Sequence, residues 1–326
     1  MNENNFRSRL KDFLMSNLQM FIILFLMLFF RAATPNYISL RNLTNLLSLS
    51  SVLIITSLAF MLIMELGSID LSVEGNMAVT GVVMAKLLTE FGFGVWSLLA
   101  GMLLGALIGF LNGVIHTRFV IPSFMATLGM NYILVGVCTV VTRGQYVTIT
   151  PEYMWLRNVS LGRIGGDSGY IPYTILITAA VALFIWFITE KIKYGRHVLA
   201  IGGDESIARD LGVHTTRVKI ASYTVGGMLF GLSGCLLTLK LGAGDSYSSF
   251  GYTFETISAC VVGGIAISGG VGKMNKAILG AVIITMVRAG ITFLNIPMAV
   301  KDGVLGLVIL IAVVLTIDRG RIGTIR

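Results

Sequence analysis

Residues 43–64 read LTNLLSLSSVLIITSLAFMLIM, an apolar run without a charged side chain. A helix of about 17–25 predominantly apolar residues is long enough to cross the hydrocarbon core of a bilayer, which is about 30 Å thick. The run is therefore predicted to be a transmembrane α-helix.

The whole chain has the character of this run. It is 55% hydrophobic and 12% charged, with a mean hydropathy of +0.86, whereas a soluble domain is about 25% charged. We predict an all-α integral membrane protein, a polytopic bundle of about ten transmembrane helices that forms one domain over residues 1–326. The eighth run is the least continuous, because glycines interrupt it. The predicted spans are 14–30, 43–64, 70–89, 95–115, 121–142, 171–189, 218–240, 253–268, 276–295 and 299–317.

The formal net charge of +8 could by itself indicate a nucleic-acid partner. The distribution of the charges argues against one. If the amino terminus lies inside, most Lys and Arg residues fall in segments that ten spans place on that side, as expected of cytoplasmic loops. We therefore expect both termini and residues 191–217 to be cytoplasmic. Membrane lipid, not nucleic acid, is the expected partner.

A glycine-rich stretch, GGIAISGGVGKMNKA at residues 263–277, has the look of a phosphate-binding loop. The P-loop pattern requires Gly at position 267 and Ser or Thr at position 274, where this chain has Ile267 and Met274. We predict instead a tight connection between two spans and no ATP hydrolysis by the chain itself. No catalytic or metal-binding constellation is visible in the sequence, so we predict neither an enzyme nor a cofactor.

The most informative polar segment is TEKIKYGRHVLAIGGDESIARDLGVHTTRVK, residues 189–219. Asp204 follows two glycines and is well placed to cap a short helix. Glu205 adds negative charge to the first turn and stands four residues before Arg209, and Gly212 is a suitable C-terminal stop. The segment is therefore predicted to contain a short capped helix on the cytoplasmic face.

The same short helix is predicted to be amphipathic. Ile207, Ala208 and Leu211 are expected on one buried side, with Arg209 on the exposed side. One interpretation is a surface loop without a partner. The other is a docking element whose apolar side enters a groove of a soluble protein.

Four stretches in order along the chain resemble the membrane subunits of bacterial ABC importers, specifically the ribose-type monosaccharide permeases. GRHVLAIGGDESIARDLGV, residues 195–213, is similar to the coupling-helix region of that family. The other three are GSIDLSVEG at 67–75, LNGVIHTRFVIPSFMATLGM at 111–130 and ACVVGGIAISGGVG at 259–272. The resemblance extends from about residue 40 to the carboxyl end.

Five positions depart from the family pattern. Ser68 and Glu74 stand where the family usually has Gly, and Asp204 stands where Asn is usual. Ile265 and Ala266 replace Thr and Ser. The departures leave the identity of the solute open, because kindred permeases carry sugars, nucleosides or branched-chain amino acids.

The resemblance implies a type II-like importer permease in the bacterial cytoplasmic (inner) membrane. Separate ATPase subunits would hydrolyse ATP, an extracytoplasmic solute-binding protein would deliver the solute, and a second permease subunit, identical or related, would complete the path. It also implies that the segment of about 195–217 couples the chain to the ATPase. The implied coupling residues are Gly195, Arg196, Gly202, Gly203, Asp204, Ile207, Ala208, Leu211 and Gly212.

Asp70 and Glu74 are carboxylates at the start of an apolar helix, spaced so that they share one face. An ionisable group in a membrane segment is a functional-site hypothesis. For Asp70 the alternative is a cap on a helix that begins at Leu71, with the carboxylate accepting from the amide of Ser72 or Val73. Glu74 either is solvated at the cytoplasmic face or lines a cavity at a break within the bilayer.

Asn112, Thr127 and Asn131 either make interhelical hydrogen bonds or line the translocation path. With Asp70 and Glu74 they form the set of candidate path residues. An ion-coupled secondary transporter that uses Asp70 and Glu74 is an alternative function, but it has no need of a docking helix. A membrane-embedded enzyme is another, and it would require a nucleophile, a metal set or a paired acid and base.

Small and charged residues inside two other spans also have two interpretations. Gly101, Gly105 and Gly109 recur at every fourth position, which favours close helix packing, either within the subunit or at a homodimer seam. Arg288 lies in an apolar run and is expected to reach the outer interface or to pair with Glu255 or Asp302.

Overall fold

The computed structural model describes residues 17–33, 37–165 and 170–294 and the isolated positions 300, 303, 306 and 307. Helices occupy nine of the ten predicted spans within these residues. The tenth predicted span, 299–317, lies almost entirely outside the described residues, so the number of membrane crossings stays a prediction. Six of the described helices are long and apolar enough to cross a membrane.

The described chain is almost entirely helical, with two very short β-ladders. A 3₁₀ turn spans Pro151–Arg157, and a π-helical segment spans Phe187–Lys191. The strands β1 (Val147–Thr148) and β4 (Ala243–Gly244) pair antiparallel, as do β2 (Arg163–Ile164) and β3 (Ile171–Pro172). The helices are α1 (Leu18–Ala33), α2 (Leu40–Met64), α3 (Val73–Thr89), α4 (Trp96–Arg118), α5 (Ser123–Thr142), α6 (Asn158–Leu161), α7 (Tyr173–Trp186), α8 (Lys193–Gly203), α9 (Glu205–Asp210), α10 (Thr215–Leu241), α11 (Tyr252–Gly263) and α12 (Met274–Phe293).

Helix α2, which contains the whole of residues 43–64, is the centre of the bundle. Every residue from Ser50 to Met64 is buried, and α10, α12, α11 and α7 pack around it. A helix that is apolar on all sides is stable only where all sides are covered. Residues 43–64 therefore form the core of the bundle in addition to a predicted membrane crossing.

Helices α4 and α10 approach so closely that glycine is required at their contact. A Cβ atom on Gly105 would lie 2.4 Å from the carbonyl oxygen of Gly227, and one on Gly109 would lie 2.0 Å from that of Tyr223. Small residues allow two helix backbones to meet in this way. The glycine stripe of α4 therefore packs within the subunit.

The length of one predicted span needs adjustment. The eighth predicted span is shorter than expected, because α11 ends where Gly264 adopts a φ of +87°, in the left-handed region that stops a helix. Arg288 forms its ion pair with Glu255, one of the two partners expected for it.

Candidate functional site

Three glycine-containing segments meet at one end of the bundle. The amide of Gly270 donates to the carbonyl oxygen of Glu65 at 2.9 Å. A Cβ atom on Gly202 would lie 1.8 Å from that same oxygen and 2.4 Å from the Gly270 nitrogen. The end of α8, the end of α2 and the connection from α11 to α12 are thus in backbone-to-backbone contact. We call this contact the glycine junction: Glu65, Gly67, Gly202, Gly269 and Gly270.

The glycine junction also depends on backbone conformations that favour glycine. Gly67, Gly269 and Gly270 have φ values of +72°, +87° and +73°, which cost other residues free energy. The Ala266 amide donates to the Val271 carbonyl at 3.0 Å and closes the loop. The stretch that resembled a phosphate-binding loop is therefore the tight connection that the sequence predicted.

Helix α9 is capped as the sequence predicted. The carboxylate of Asp204 accepts from the amides of Ser206 and Ile207 at 2.8 and 3.0 Å. Hydrogen bonds from the Ser206 hydroxyl and from these amides hold the pKa of Asp204 below its usual value. Asp204 therefore stays ionised and keeps capping the helix at neutral pH.

Charge pairs and a glycine stop complete the local design of α9. Glu205 pairs with Arg209 at 3.2 Å, as the four-residue spacing predicted, and also with Lys219 of α10 at 2.6 Å. Gly212 has a φ of +85°, and its amide donates to the Arg209 carbonyl at 2.9 Å. The pair with Arg209 is exposed and contributes little free energy, whereas Lys219 is only 13% exposed and its pair connects α9 to α10.

The predicted docking side of α9 is wrong at Ala208, which the permease itself buries. Only Ala208 is buried, at 2% exposure, whereas Ile207 and Leu211 are 58% and 79% exposed. Ala208 packs on Leu66 and Val198 of its own chain. Around the helix Leu211 lies between the other two, about 40° from Ile207 and about 60° from Ala208. The permease itself covers the alanine side and leaves the two large side chains free.

The chain between α2 and α3 is a non-helical break with buried polar groups. Asp70 Oδ1 accepts from the amide of Ser72 at 2.8 Å and from its hydroxyl at 2.6 Å. The amide group of Asn112, on α4, donates to the Ser72 hydroxyl at 2.8 Å. The predicted bond to Ser72 is present, but the helix begins at Val73 and not at Leu71. Both Asp70 and Asn112 are buried.

Side chains of α5 satisfy backbone amides of the break. Thr127 Oγ1 accepts from the Leu71 amide at 2.8 Å, and Asn131 Oδ1 accepts from the Gly75 amide at 2.8 Å. The first amides of a helix lack partners within the helix, so an external acceptor is needed. Thr127 is buried and Asn131 is partly exposed. Both Thr127 and Asn131 therefore make hydrogen bonds from α5 to a neighbouring segment.

Glu74 joins the amino ends of two helices. Its Oε1 accepts from the amides of Gly251 and Thr253, at the start of α11, at 3.0 and 3.3 Å. The Ser249 hydroxyl donates to the Glu74 carbonyl at 2.8 Å. A carboxylate near a helix amino terminus interacts favourably with the helix dipole. No local sequence pattern indicates this role of Glu74, because Gly251 lies 177 residues away.

Comparison with known proteins defines the class of this chain. A family model described as the permease component of the branched-chain amino acid transport system matches residues 42–313, which is most of the chain. The chain therefore belongs to this family. It is a multi-pass membrane protein with a transport role, and the family is one of permeases and not of enzymes.

The similar curated proteins are import permeases of named solutes. An L-arabinose ABC transporter permease protein of Azospirillum brasilense is 32% identical over 296 residues, 90% of this chain and 85% of that protein. A ribose import permease protein of Escherichia coli (strain K12) is 30% identical over 93% of this chain and 94% of its own. A galactose/methyl galactoside import permease protein of Haemophilus influenzae is 28% identical with the same coverage. No solved structure matches the chain significantly.

Proposed function

We propose that this chain is the membrane subunit of an ABC importer that carries a monosaccharide or a sugar-like solute across the bacterial cytoplasmic membrane. Separate ATPase subunits hydrolyse ATP, an extracytoplasmic binding protein delivers the solute, and a second permease subunit completes the path. Both termini and α8–α9 face the cytoplasm. The similar permeases are named for arabinose, ribose and galactose, which supports a sugar as the solute.

The observation that supports this proposal most is the glycine junction below the capped helix α9. The backbones there touch without intervening side chains, and closely packed elements move together because interiors are barely compressible. A displacement of α9 by a docked ATPase therefore moves the break after α2 and the connection before α12 at the same time.

The candidate path residues divide by exposure. Asp70, Asn112 and Thr127 are buried and hold the break between α2 and α3 in place. Glu74 and Asn131 are partly exposed. In the proposed mechanism the first three transmit the movement of the glycine junction, and the last two face the solute.

The docking part of the proposal is tested at the exposed side chains of α9. Leu211→Glu places a charge on the face that meets the ATPase, and an unpaired charge buried in an interface is costly. We expect the variant to reach the membrane normally and to lose ATPase association and uptake. Arg209→Ala, 66% exposed on the same helix, is the control and should retain both. Normal ATPase recovery with Leu211→Glu would contradict the coupling role of α9.

The solute is tested with the importer assembled in proteoliposomes with its ATPase and its binding protein. Uptake of labelled arabinose, ribose and galactose is compared with uptake of labelled leucine and of a nucleoside. Sugar uptake that requires ATP supports the proposal. Uptake of leucine or of the nucleoside alone would assign the chain to one of the other solute classes, and uptake without ATP would return it to the ion-coupled alternative.

A further inference from the structure

A cavity of about 320 Å³ lies at the end of the bundle opposite to the glycine junction. Its walls come from the first turns of α2, from α6, β2 and β3, and from the ends of α10 and α12. Four of the lining residues lie within two positions of the end of a predicted membrane span: Asn42, Pro172, Lys240 and Phe293. The cavity is therefore at the boundary between the hydrocarbon core and the headgroup region of the bilayer.

The α2 wall of the cavity changes from polar to apolar along one face of the helix. Its residues Asn42, Asn45, Leu46 and Leu49 follow the spacing i, i+3, i+4 and i+7 of a single helix face. The asparagines are nearer the end of the bundle, and Leu49 lies about 10 Å deeper than Asn42. Leu49 is 47% exposed, and Phe293, which lines the cavity from α12, is 43% exposed. A matching ligand has a polar group at one end and an apolar chain at the other.

The lining of the cavity is positively charged. It contains Arg163 and Lys240 and, among the described residues, no carboxylate. Nη2 of Arg163 donates to the side-chain oxygen of Asn45, which places the guanidinium group beside the polar part of the α2 wall. Within the described part of the chain, Lys240 forms no ion pair and its Nζ donates no hydrogen bond. Glu255 forms its ion pair with Arg288 instead.

We propose that this cavity binds the headgroup phosphate of an anionic phospholipid. Lys240 donates to the phosphate oxygens, Arg163 adds a second positive charge, and an acyl chain lies along Leu49 and Phe293. Phosphates of the bilayer lie at this depth, and basic pockets between transmembrane helices bind anionic headgroups. In the orientation of the proposed function the lipid belongs to the outer leaflet.

The apolar part of the wall favours a lipid over other anions. A free phosphate ion, or a carboxylate side chain of a docked protein, would use only the basic groups and would leave Leu49 and Phe293 uncovered. A phospholipid uses both parts, because its phosphate and its acyl chains are adjacent. The volume is at the lower end for small-molecule sites, which suits a headgroup whose chains extend along the outside of the bundle.

The test measures binding of fluorescently labelled phosphatidylglycerol and phosphatidylcholine to the purified permease in a neutral detergent. We expect the wild type to prefer phosphatidylglycerol, and Lys240→Gln to weaken phosphatidylglycerol binding about fivefold, the contribution of one basic side chain. Binding of phosphatidylcholine, which has no net charge, should not change. Lys240→Arg keeps the charge and should retain the preference. Lys86→Gln removes a lysine outside the cavity, 27% exposed, and should bind like the wild type.

Three outcomes would overturn the inference. Equal weakening in Lys240→Gln and Lys86→Gln would mean that only the overall charge of the permease attracts the lipid. Displacement of the labelled lipid by glycerol 3-phosphate as effectively as by unlabelled phosphatidylglycerol would indicate a site for soluble anions. Loss of the solute-binding protein in a pull-down with Lys240→Gln, at unchanged lipid binding, would assign the cavity to protein docking. The lipid measurement needs neither ATP nor a solute, so its failure leaves the proposed function untouched.

Discussion

The two ends of the break between α2 and α3 are held in opposite ways. At the Gly67 end, backbone meets backbone and a side chain has almost no room. At the Glu74 end, side chains reach across to backbone amides of other helices. The first arrangement packs three backbone segments directly on one another and leaves no room for a side chain between them. The second holds the amino ends of α3 and α11 through side-chain hydrogen bonds.

The largest effect is expected from filling the glycine junction. Gly202→Val should push the end of α8 away from Glu65, since even a Cβ atom would lie 1.8 Å from the Glu65 carbonyl oxygen. Overpacking of this kind costs about 3 kcal/mol or more when the neighbour is backbone. We expect a strongly lowered melting temperature in detergent and no uptake. Gly203→Ala is the matched control, because a Cβ atom there meets nothing within 4 Å. Equal stability of the two variants would mean that the backbones at Gly202 are not in close contact.

The next effect separates internal packing from docking on α9. Ala208→Glu buries a carboxylate against Leu66 and Val198, and a buried charge without a partner costs several kcal/mol. We expect this variant to lower the stability of the permease alone by about 2–3 kcal/mol. Leu211→Glu should leave the stability of the permease alone unchanged, because Leu211 is exposed. Thermal unfolding of each purified permease, without ATPase, makes the measurement.

A smaller and pH-dependent effect is expected at Glu65, just after the end of α2. Burial, and then the nearby Glu190, raises the pKa of Glu65 from 4.5 to about 7. Because the folded-state pKa lies above the unfolded value, wild-type stability should fall as the pH rises from about 4.5 to about 7 and should stay lower above pH 7. The stability of Glu65→Gln should not fall over this pH range, because the glutamine side chain does not ionise.

The measurement for Glu65 is thermal unfolding at pH 5 and pH 9. We expect the two proteins to differ little at pH 5 and Glu65→Gln to be more stable at pH 9, by about 2 kcal/mol. Glu190→Gln should recover a smaller part of the gain, since Glu190 is the second cause of the raised pKa. A pH-independent difference would mean that the carboxyl group of Glu65 does not titrate in this range.

The smallest stability effect is expected at the Glu74 end. Glu74→Gln keeps an oxygen that accepts from Gly251 and Thr253 but removes the charge that favours the amino end of α11, which is worth about 1 kcal/mol. We expect slightly lower stability with a larger loss of sugar uptake. Glu90→Gln, which breaks the exposed 2.6 Å pair with Lys86 at the other end of α3, should affect neither. Unchanged uptake in Glu74→Gln would assign Glu74 a structural role only.

Features that depend on neighbouring residues could be predicted from the sequence. Uncharged apolar runs predict helices of bilayer length wherever they occur, since each such helix satisfies its own backbone. Asp204 and Gly212 cap the helix between them through hydrogen bonds to residues two or three positions away. The glycines of 263–277 could be assigned to a tight connection because the residues that a P-loop needs are absent from the same short stretch.

Which side of a helix is covered, and what a polar group bonds, was decided by tertiary structure. Periodicity placed Ile207, Ala208 and Leu211 together, but only the position of Leu66 and Val198 determines that Ala208 is the buried one. Glu74 and Gly251 are 177 residues apart, and Gly202 meets Glu65 through the backbone, which has no residue-specific signal. Such contacts follow from how the helices pack, and the free energy of packing is shared over the whole bundle and not contained in any short segment.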